Sequence, residues 1–379
     1  MVPVPPRALR GTLQVRRSPH LVVYWRNKTL IACNFATGVH AEVPSRACEL
    51  LSSCDNWVTL AGLRKAGFFS PTSFDAVIAR LVGLTLLERS DVRSDPRSRS
   101  MERLAPWNPH VGFYHASTKD VRFAPKAVLA RGARPGPPPP PAVKRYDGAP
   151  SVRLEPPPHD DPFGAVLKAR RTWRRYSSKP VTVGELSTIL GLCSGIQHWV
   201  MAPGLKIPLK TSPSGGARHA IECYLVARDV RGLKGGVYYY APDRHELRRI
   251  GGRVSVERIR AYVPGSEYFA NASAMVFFTA VFARILWRYP YARAYRAALI
   301  ESGHVCQTFL LAATRLGLAP FSVMALADSI IERDLGIDGI SESVLYAAGV
   351  GRPPRGTPWA PLARGKAPAL RRNPRVFRP

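Results

Sequence analysis

The chain has 379 residues, of which 46% are hydrophobic and 21% charged, and these values exclude a wholly disordered protein. This length favours two domains, and the 36 prolines predict a linker. The 55 Lys and Arg residues against 26 Asp and Glu give a net charge of +29, which by itself indicates a polyanionic partner such as nucleic acid or an anionic membrane surface. No run of about 18 apolar residues and no secretory signal is evident, so we expect a cytoplasmic protein without a membrane span.

The cysteine pattern points away from a disulfide frame or a metal site. The six cysteines form no CxxC pair and stand among apolar neighbours, as buried thiols do. We therefore expect no bound metal.

The first 130 residues predict a small α+β domain. Residues 14–35 have the pattern of two short strands around a turn near Asn27. Three helices are predicted next, over 45–53, 58–66 and 74–84. This order resembles a winged helix, and peptide docking or dimer support is the expected role of residues 1–130.

Two segments are predicted to lack regular structure. Residues 131–161 contain the run RPGPPPPP, which predicts an extended linker. Residues 355–379 form a tail rich in Pro and Arg, and residues 346–379 together hold eight basic and no acidic side chains.

Residues 162–354 predict a three-layer α+β domain. Helical patterns over 163–170, 183–192, 293–316 and 329–335 alternate with strand-like apolar runs over 222–227, 236–240, 274–280 and 344–349. A domain of about 190 residues is of ordinary size.

A basic cluster follows the first helix of this second domain, with the sequence RRTWRRY over residues 170–176. Several guanidinium groups beside one hydroxyl can bind a phosphate bidentately. A solvated basic helix face explains the same composition equally well.

A glycine-containing loop, PSGGARH over residues 213–219, precedes the strand-like run ECYLVA. Its two glycines permit close backbone approach to a flat ligand. A Gly-Gly loop alone is weak support for a site.

Two further motifs lie nearer the end of the domain. Residues 287–296, WRYPYARAYR, interleave aromatic and basic side chains and lead into ESGHVCQ. This pattern is typical of a nucleic-acid stacking surface or of the wall of a cofactor pocket. The turn GVGR over 349–352 follows an apolar strand. Its arginine is either a cation that binds a phosphate or part of a turn without a binding role.

These blocks together resemble the SagB-type dehydrogenases. The resemblance spans about half of the chain. In chain order, its blocks are RRTWRRY, TSPSGGARHAIECYLVA, GGVYYYAPDRHELRRI, WRYPYARAYRAALIESGHVCQTFLL and ESVLYAAGVGRP. The segment WNPHVGFYHASTKD over 107–120 adds a weaker similarity to the region that often precedes this domain. The resemblance implies a nitroreductase-like fold that binds FMN and oxidises thiazolines or oxazolines to azoles during ribosomal peptide maturation.

The resemblance also assigns residues. It implies a homodimer with FMN at the subunit interface, a precursor peptide as substrate and a cyclodehydratase as an additional partner. The implied contacts to phosphate, ribityl chain and pyrimidine are Arg170, Arg171, Thr172 and Arg174; those from the other subunit are Pro213, Ser214, Gly215 and Arg218; those along the ring system are Gln307, Ser322, Val323 and Met324; and those at the phosphate end are Gly351 and Arg352.

The implied proton-transfer pair departs from the family pattern. The family has Lys-Tyr where this chain has Arg288 and Tyr289, and a guanidinium cannot accept a proton near neutral pH. Tyr289 then serves as the acid or base beside Arg288, or the reaction differs. Thr308 replaces the usual Asn after Gln307, which changes one contact on the flavin side.

Two alternatives remain. The Arg288 substitution motivates another flavin-dependent peptide reaction that forms or reduces a Cα=Cβ bond. A winged-helix nucleic-acid-binding protein is the second, and it is disfavoured because its second helix, residues 74–84, offers only Arg80 as a cation. The basic residues of 160–345 also lie largely on the motifs for flavin contact rather than on one stripe.

Overall fold

The computed structural model describes residues 12–121, 154, 161–202 and 204–355. Most of the predicted linker, 131–161, and of the predicted tail, 355–379, therefore lies outside the described residues. In the described part, no helix combines the length and apolarity needed to cross a membrane.

Eleven helices are used in the description below. They are Ser45–Ser52 (α1), Leu60–Lys65 (α2), Pro71–Gly83 (α3), Pro96–Glu102 (α4), Asn108–Thr118 (α5), Pro162–Ala169 (α6), Val183–Ser194 (α7), Val256–Tyr262 (α8), Phe282–Arg288 (α9), Ala294–Arg315 (α10) and Asp328–Leu335 (α11). Short 3-10 turns occupy Ala105–Trp107, Gly215–Ala217 and Glu267–Asn271.

The strands are likewise numbered in chain order. They are Gln14–Arg17 (β1), Leu21–Arg26 (β2), Thr29–Asn34 (β3), Val39–Glu42 (β4), Val58–Thr59 (β5), Leu87–Arg89 (β6), Val181–Thr182 (β7), Ile196–Ala202 (β8), Leu205–Lys210 (β9), Ile221–Ala227 (β10), Val230–Arg231 (β11), Gly236–Ala241 (β12), Glu246–Gly251 (β13), Ala274–Val281 (β14), Ala319–Val323 (β15) and Glu342–Gly351 (β16).

A six-stranded antiparallel sheet organises the second half of the chain, in the order β13-β12-β10-β14-β16-β15. Strand β10 is buried along its whole length, and its side chains alternate between the two faces as strand geometry requires. Cys223 and Leu225 join one core cluster, whereas Tyr224 and Val226 join the other. Helices α7 and α10 cover the first face and α8 and α11 the second, so the predicted three-layer α+β arrangement is confirmed.

The N-terminal residues form a smaller α+β unit. Strand β1 pairs with β5 and β6, while β2, β3 and β4 form a second sheet. The predicted turn at Asn27 is confirmed and has a positive φ of 55°. Phe74, Ile78 and Leu81 of α3 are buried against α1 and α2, on the helix face that the sequence predicts. The winged-helix interpretation of this unit stays a prediction.

Helix α5 joins the two parts of the chain. Trp107, which precedes it, is buried with its ring centroid 4.5 Å from that of Phe282 and 5.2 Å from that of Tyr295. His115 of α5 lies 3.1 Å from the Tyr295 hydroxyl and 3.0 Å from the Gly339 carbonyl oxygen. One apolar core therefore runs from the N-terminal hairpin into the second domain.

The ionisation of His115 should be visible in the pH dependence of stability. Burial, helped by the Lys119 charge, lowers the pKa of His115 from 6.5 to about 4. The unfolded chain therefore takes up this proton first, and stability is lost as the pH falls from 6.5 towards 4. The pKa difference corresponds to about 3 kcal/mol.

We expect His115→Gln to remove this part of the pH dependence, as measured by urea unfolding at several pH values between 4 and 7. His110→Gln is the matched control, because His110 is exposed on the same helix. An unchanged acid slope in the His115 variant would show that the imidazole is not the group responsible.

Candidate functional site

The glycine-containing loop is held along one face of α10. The Ser212 and Thr308 hydroxyl oxygens lie 3.1 Å apart, and His304 Nδ1 lies 3.2 Å from the Pro213 carbonyl oxygen. Ser214 Oγ donates a 2.6 Å hydrogen bond to Glu301 Oε2. Because residues three and four apart share a helix face, Glu301, His304 and Thr308 form one stripe that the loop follows residue by residue.

Glu301 is the buried part of this stripe. Its second oxygen, Oε1, accepts from the Ile221 amide at the start of β10, at 3.3 Å. Burial raises the pKa of Glu301, and the hydrogen bonds from Ser214 and Ile221 oppose that rise. The Ser214 hydroxyl oxygen in turn accepts from the His219 amide at 2.8 Å, which closes the loop on itself. One carboxylate thus fixes both ends of the loop.

The loop lies directly against the predicted proton-transfer pair. Gly216 has φ +58°, and a Cβ at this position would stand 3.1 Å from the Tyr289 hydroxyl oxygen and 3.3 Å from Arg288 Cγ. A side chain here would strain the backbone, and its neighbours would have to shift by a few tenths of an ångström. Helix α9 ends at Arg288 and places its guanidinium 6.0 Å from the centre of the Tyr289 ring. The structure brings Arg288, Tyr289 and the glycines together in one chain.

The basic cluster lies beside the start of β15. The Trp173 amide donates to the Pro320 carbonyl at 3.0 Å, and this bond fixes the segment after α6. Arg171 turns its guanidinium onto the carbonyl oxygens of Lys168 and Arg170, at 2.8 and 2.7 Å. Arg174 is exposed and reaches the Tyr268 hydroxyl at 3.4 Å.

The donors in this cluster fit the phosphate of FMN. Arg170 and Thr172 are partly exposed and Arg174 is exposed, so two cations and a hydroxyl within five residues are accessible to an anionic ligand. At the other end of β15, Val323 is buried but Met324 is 77% exposed and provides an apolar surface. The basic cluster would hold the phosphate, and Met324 would contact the aromatic ring system.

Besides Arg171, Arg174 and Ser214, three more predicted contact residues have partners within the chain. Arg352 Nη2 contacts both oxygens of Glu185, at 2.9 and 2.8 Å, so a phosphate would compete with that carboxylate. A Cβ at Gly351 would stand 2.5 Å from the Tyr176 ring, so this glycine makes room for Tyr176. Ser322 Oγ accepts from the Tyr346 hydroxyl at 3.1 Å.

Gln307 is exposed on α10, one turn beyond His304. Its side chain is on the outer surface of the helix and remains available to a ligand. Sequence reasoning missed Glu301 as a site residue, although the block ESGHVCQ contains it. The signal that could have found it is an acidic residue among apolar ones, because a buried carboxylate needs hydrogen-bond donors.

Comparison with known proteins identifies the family of the chain. Residues 167–352 match the family described as the nitroreductase family. The Methanocaldococcus jannaschii protein named "Putative nitroreductase MJ1384" is 36% identical over 172 residues, which are 45% of this chain and 83% of that protein. The chain belongs to the nitroreductase family and is therefore an oxidoreductase. The nitroreductase-like fold expected from the sequence is confirmed.

Two further relatives process peptides, according to their names. The trifolitoxin-processing protein TfxB of Rhizobium leguminosarum bv. trifolii is 34% identical over 36% of this chain and 38% of its own length. The microcin B17-processing protein McbC of Escherichia coli is 28% identical over 33% of this chain and 48% of its own length. The chain thus spans less than half of each of these two proteins. They support the resemblance to the SagB-type dehydrogenases.

Replacing the buried carboxylate should loosen the glycine-containing loop. In Glu301→Gln only one acceptor oxygen remains for the donors Ser214 and Ile221. The other donor then faces the amide NH2 group and loses its hydrogen bond. We expect a loss of about 1–3 kcal/mol in the free energy of unfolding and faster hydrogen exchange of the His219 amide. Glu49→Gln, at an exposed position of α1, is the control. Unchanged exchange at His219 would contradict the anchoring role.

Proposed function

We propose that this protein is an FMN-dependent dehydrogenase of ribosomal peptide maturation, which oxidises a thiazoline or oxazoline of its peptide substrate to the azole. The observation that carries the proposal is the contact of the glycine-containing loop with Arg288 and Tyr289. The two peptide-processing relatives support the substrate class. FMN supplies a hydride acceptor when it is bound.

The residues of the chain have separate tasks in this proposal. Arg170, Arg171, Thr172 and Arg174 bind the phosphate end of the cofactor through charge-assisted hydrogen bonds. The Tyr289 hydroxyl exchanges a proton with the peptide substrate as acid or base, and Arg288 supplies a fixed positive charge beside it. Arg288 itself holds its proton throughout, because guanidinium does not deprotonate in this pH range.

A second copy of the chain completes the site in this proposal. The basic cluster packs on β15, whereas the glycine-containing loop packs on α10, so the two groups of predicted flavin contacts have different neighbours. Large apolar side chains also stand exposed near both groups, as a subunit interface requires. They include Phe163, Leu167, Leu299, Ile300 and Met324.

The Arg288 substitution favours one further candidate on the same site. Without a lysine that can lose its proton, removal of a Cα proton in a Cα=Cβ reaction would also rest on Tyr289. The mass of a modified peptide separates oxidation, which removes two hydrogens, from reduction, which adds two. Fragment masses separate the two oxidations, because an azole residue has lost water as well as two hydrogens, whereas formation of a Cα=Cβ bond removes two hydrogens alone.

Cofactor binding is tested by flavin content. We expect the purified protein to be yellow and to release FMN on denaturation. Arg171→Ala should weaken FMN binding by about tenfold or more, because a charge-assisted contact to the phosphate is lost. Arg248→Ala, on the exposed strand β13, should keep full occupancy. A colourless protein that takes up no added FMN would end the proposal.

The role of Tyr289 is tested by turnover of a synthetic peptide that contains a thiazoline. Tyr289→Phe should retain FMN but lower the rate by about 10²-fold or more, since general acid–base catalysis contributes that much. Tyr291→Phe is the matched control, with its ring 6.0 Å from that of Tyr289. Full turnover by the Tyr289 variant would remove this hydroxyl from the mechanism.

A further inference from the structure

A basic cleft opens on the outer side of the glycine-containing loop. It has a volume of about 230 Å³. Strand β9, the loop and helix α9 each contribute two of its lining residues, which are Lys206, Pro208, Ala217, Arg218, Arg284 and Trp287. The three cations therefore come from three different elements and converge on one space.

The positive charge of the basic cleft is only partly compensated. Arg284 forms an ion pair with the buried carboxylate of Glu222. Lys206 and Arg218 form no ion pair with any residue that the structure describes; each instead lies over a tryptophan. Burial, together with the charges of Lys210, Arg218 and Arg284, lowers the pKa of the adjacent His219 from 6.5 to about 4. Uncompensated positive charge therefore surrounds the loop.

The aromatic wall of the basic cleft is open to solvent. The Arg218 guanidinium lies 5.2 Å from the ring centre of Trp287, which is 66% exposed. Lys206 Nζ lies 4.4 Å from the ring centre of Trp199 on the neighbouring strand. An apolar wall beside a cation suits a group with a short hydrocarbon stem and a terminal carboxylate.

The basic cleft is also next to the proposed chemistry. Ala217 and Arg218 directly follow Gly216, which lies beside the Tyr289 hydroxyl, and Trp287 precedes Arg288, the last residue of α9. A group bound here would hold the adjoining peptide residues beside the Tyr289 hydroxyl.

We propose that the basic cleft binds a carboxylate of the peptide substrate and thereby positions the residue to be oxidised. This inference rests on the proposed function and names the substrate class as an acidic peptide. The volume is below the range of about 300–1,000 Å³ that is common for sites of drug-sized ligands, and it suits one or two peptide residues. The carboxylate comes either from an Asp or Glu side chain or from the end of the peptide.

The test uses the full chain, with its flavin content measured in every sample, and titration calorimetry at low salt. The probes are three short peptides: acetyl-tetraglutamate amide, acetyl-tetraglutamine amide, and acetyl-tetraglutamine with a free carboxylate. We expect at least one carboxylate-containing peptide to bind at least tenfold more tightly than the neutral amide. The two acidic probes tell a side-chain carboxylate from a chain terminus.

Variants assign the binding to the basic cleft. Lys206→Met should weaken binding of the preferred acidic peptide by about tenfold, since one charge-assisted contact is lost, and Lys206→Arg should restore it. Lys65→Met, at an exposed position of α2, is the matched control for net charge.

Three results would overturn the proposal: equal binding of the acidic and neutral peptides, equal weakening by the Lys206 and Lys65 variants, or tighter Lys206-dependent binding of a ten-nucleotide oligodeoxythymidylate, which would assign the cleft to nucleic acid. Flavin content reports the proposed function separately, because a protein without FMN can still be scored for peptide binding. Failure of the cleft therefore differs from failure of the enzyme assignment.

Discussion

The pair of hydrogen bonds to the buried Glu301 carboxylate fixes the glycine-containing loop, and both the Tyr289 side of the candidate site and the basic cleft depend on that loop. One oxygen accepts from the Ser214 hydroxyl and the other from the Ile221 amide, so the loop between them has a fixed start and a fixed end. Between these fixed ends Gly216 has a positive φ and lies beside Tyr289. The basic cleft depends on the same loop, because Ala217 and Arg218 extend from it.

The sequence predicted the central layers of the fold well, because burial on two faces leaves continuous apolar runs. Strands β10 and β14 are of this kind. Strand β15 was missed: it lies at the edge of the sheet and contains Pro320, which is typical of an edge strand but weakens its strand pattern. The hairpin of β8 and β9 was missed too, since most of its side chains are exposed and no alternation marks a buried face.

The candidate site was predictable in part for similar reasons. The motifs around Ser214 and Tyr289 are local, and the structure brings them into contact. The partner of Ser214 could not be predicted, because Glu301 is 87 residues away along the chain and only the packing of α10 reveals the pair. The pairing of Arg352 with Glu185 was hidden in the same way, since it links residues 167 positions apart.

Helix α5 bears on how the molecule gains and loses its structure. Its aromatic neighbours lie in the same core cluster as both the N-terminal hairpin and the central sheet, and Lys119 just beyond it forms an ion pair with Glu332 of α11. Removing the first 121 residues would expose Phe282 and Tyr295, at the helix that ends in Arg288 and at the start of α10. Because the N-terminal part shares a core with the nitroreductase-family domain, we expect the two to unfold in one cooperative transition.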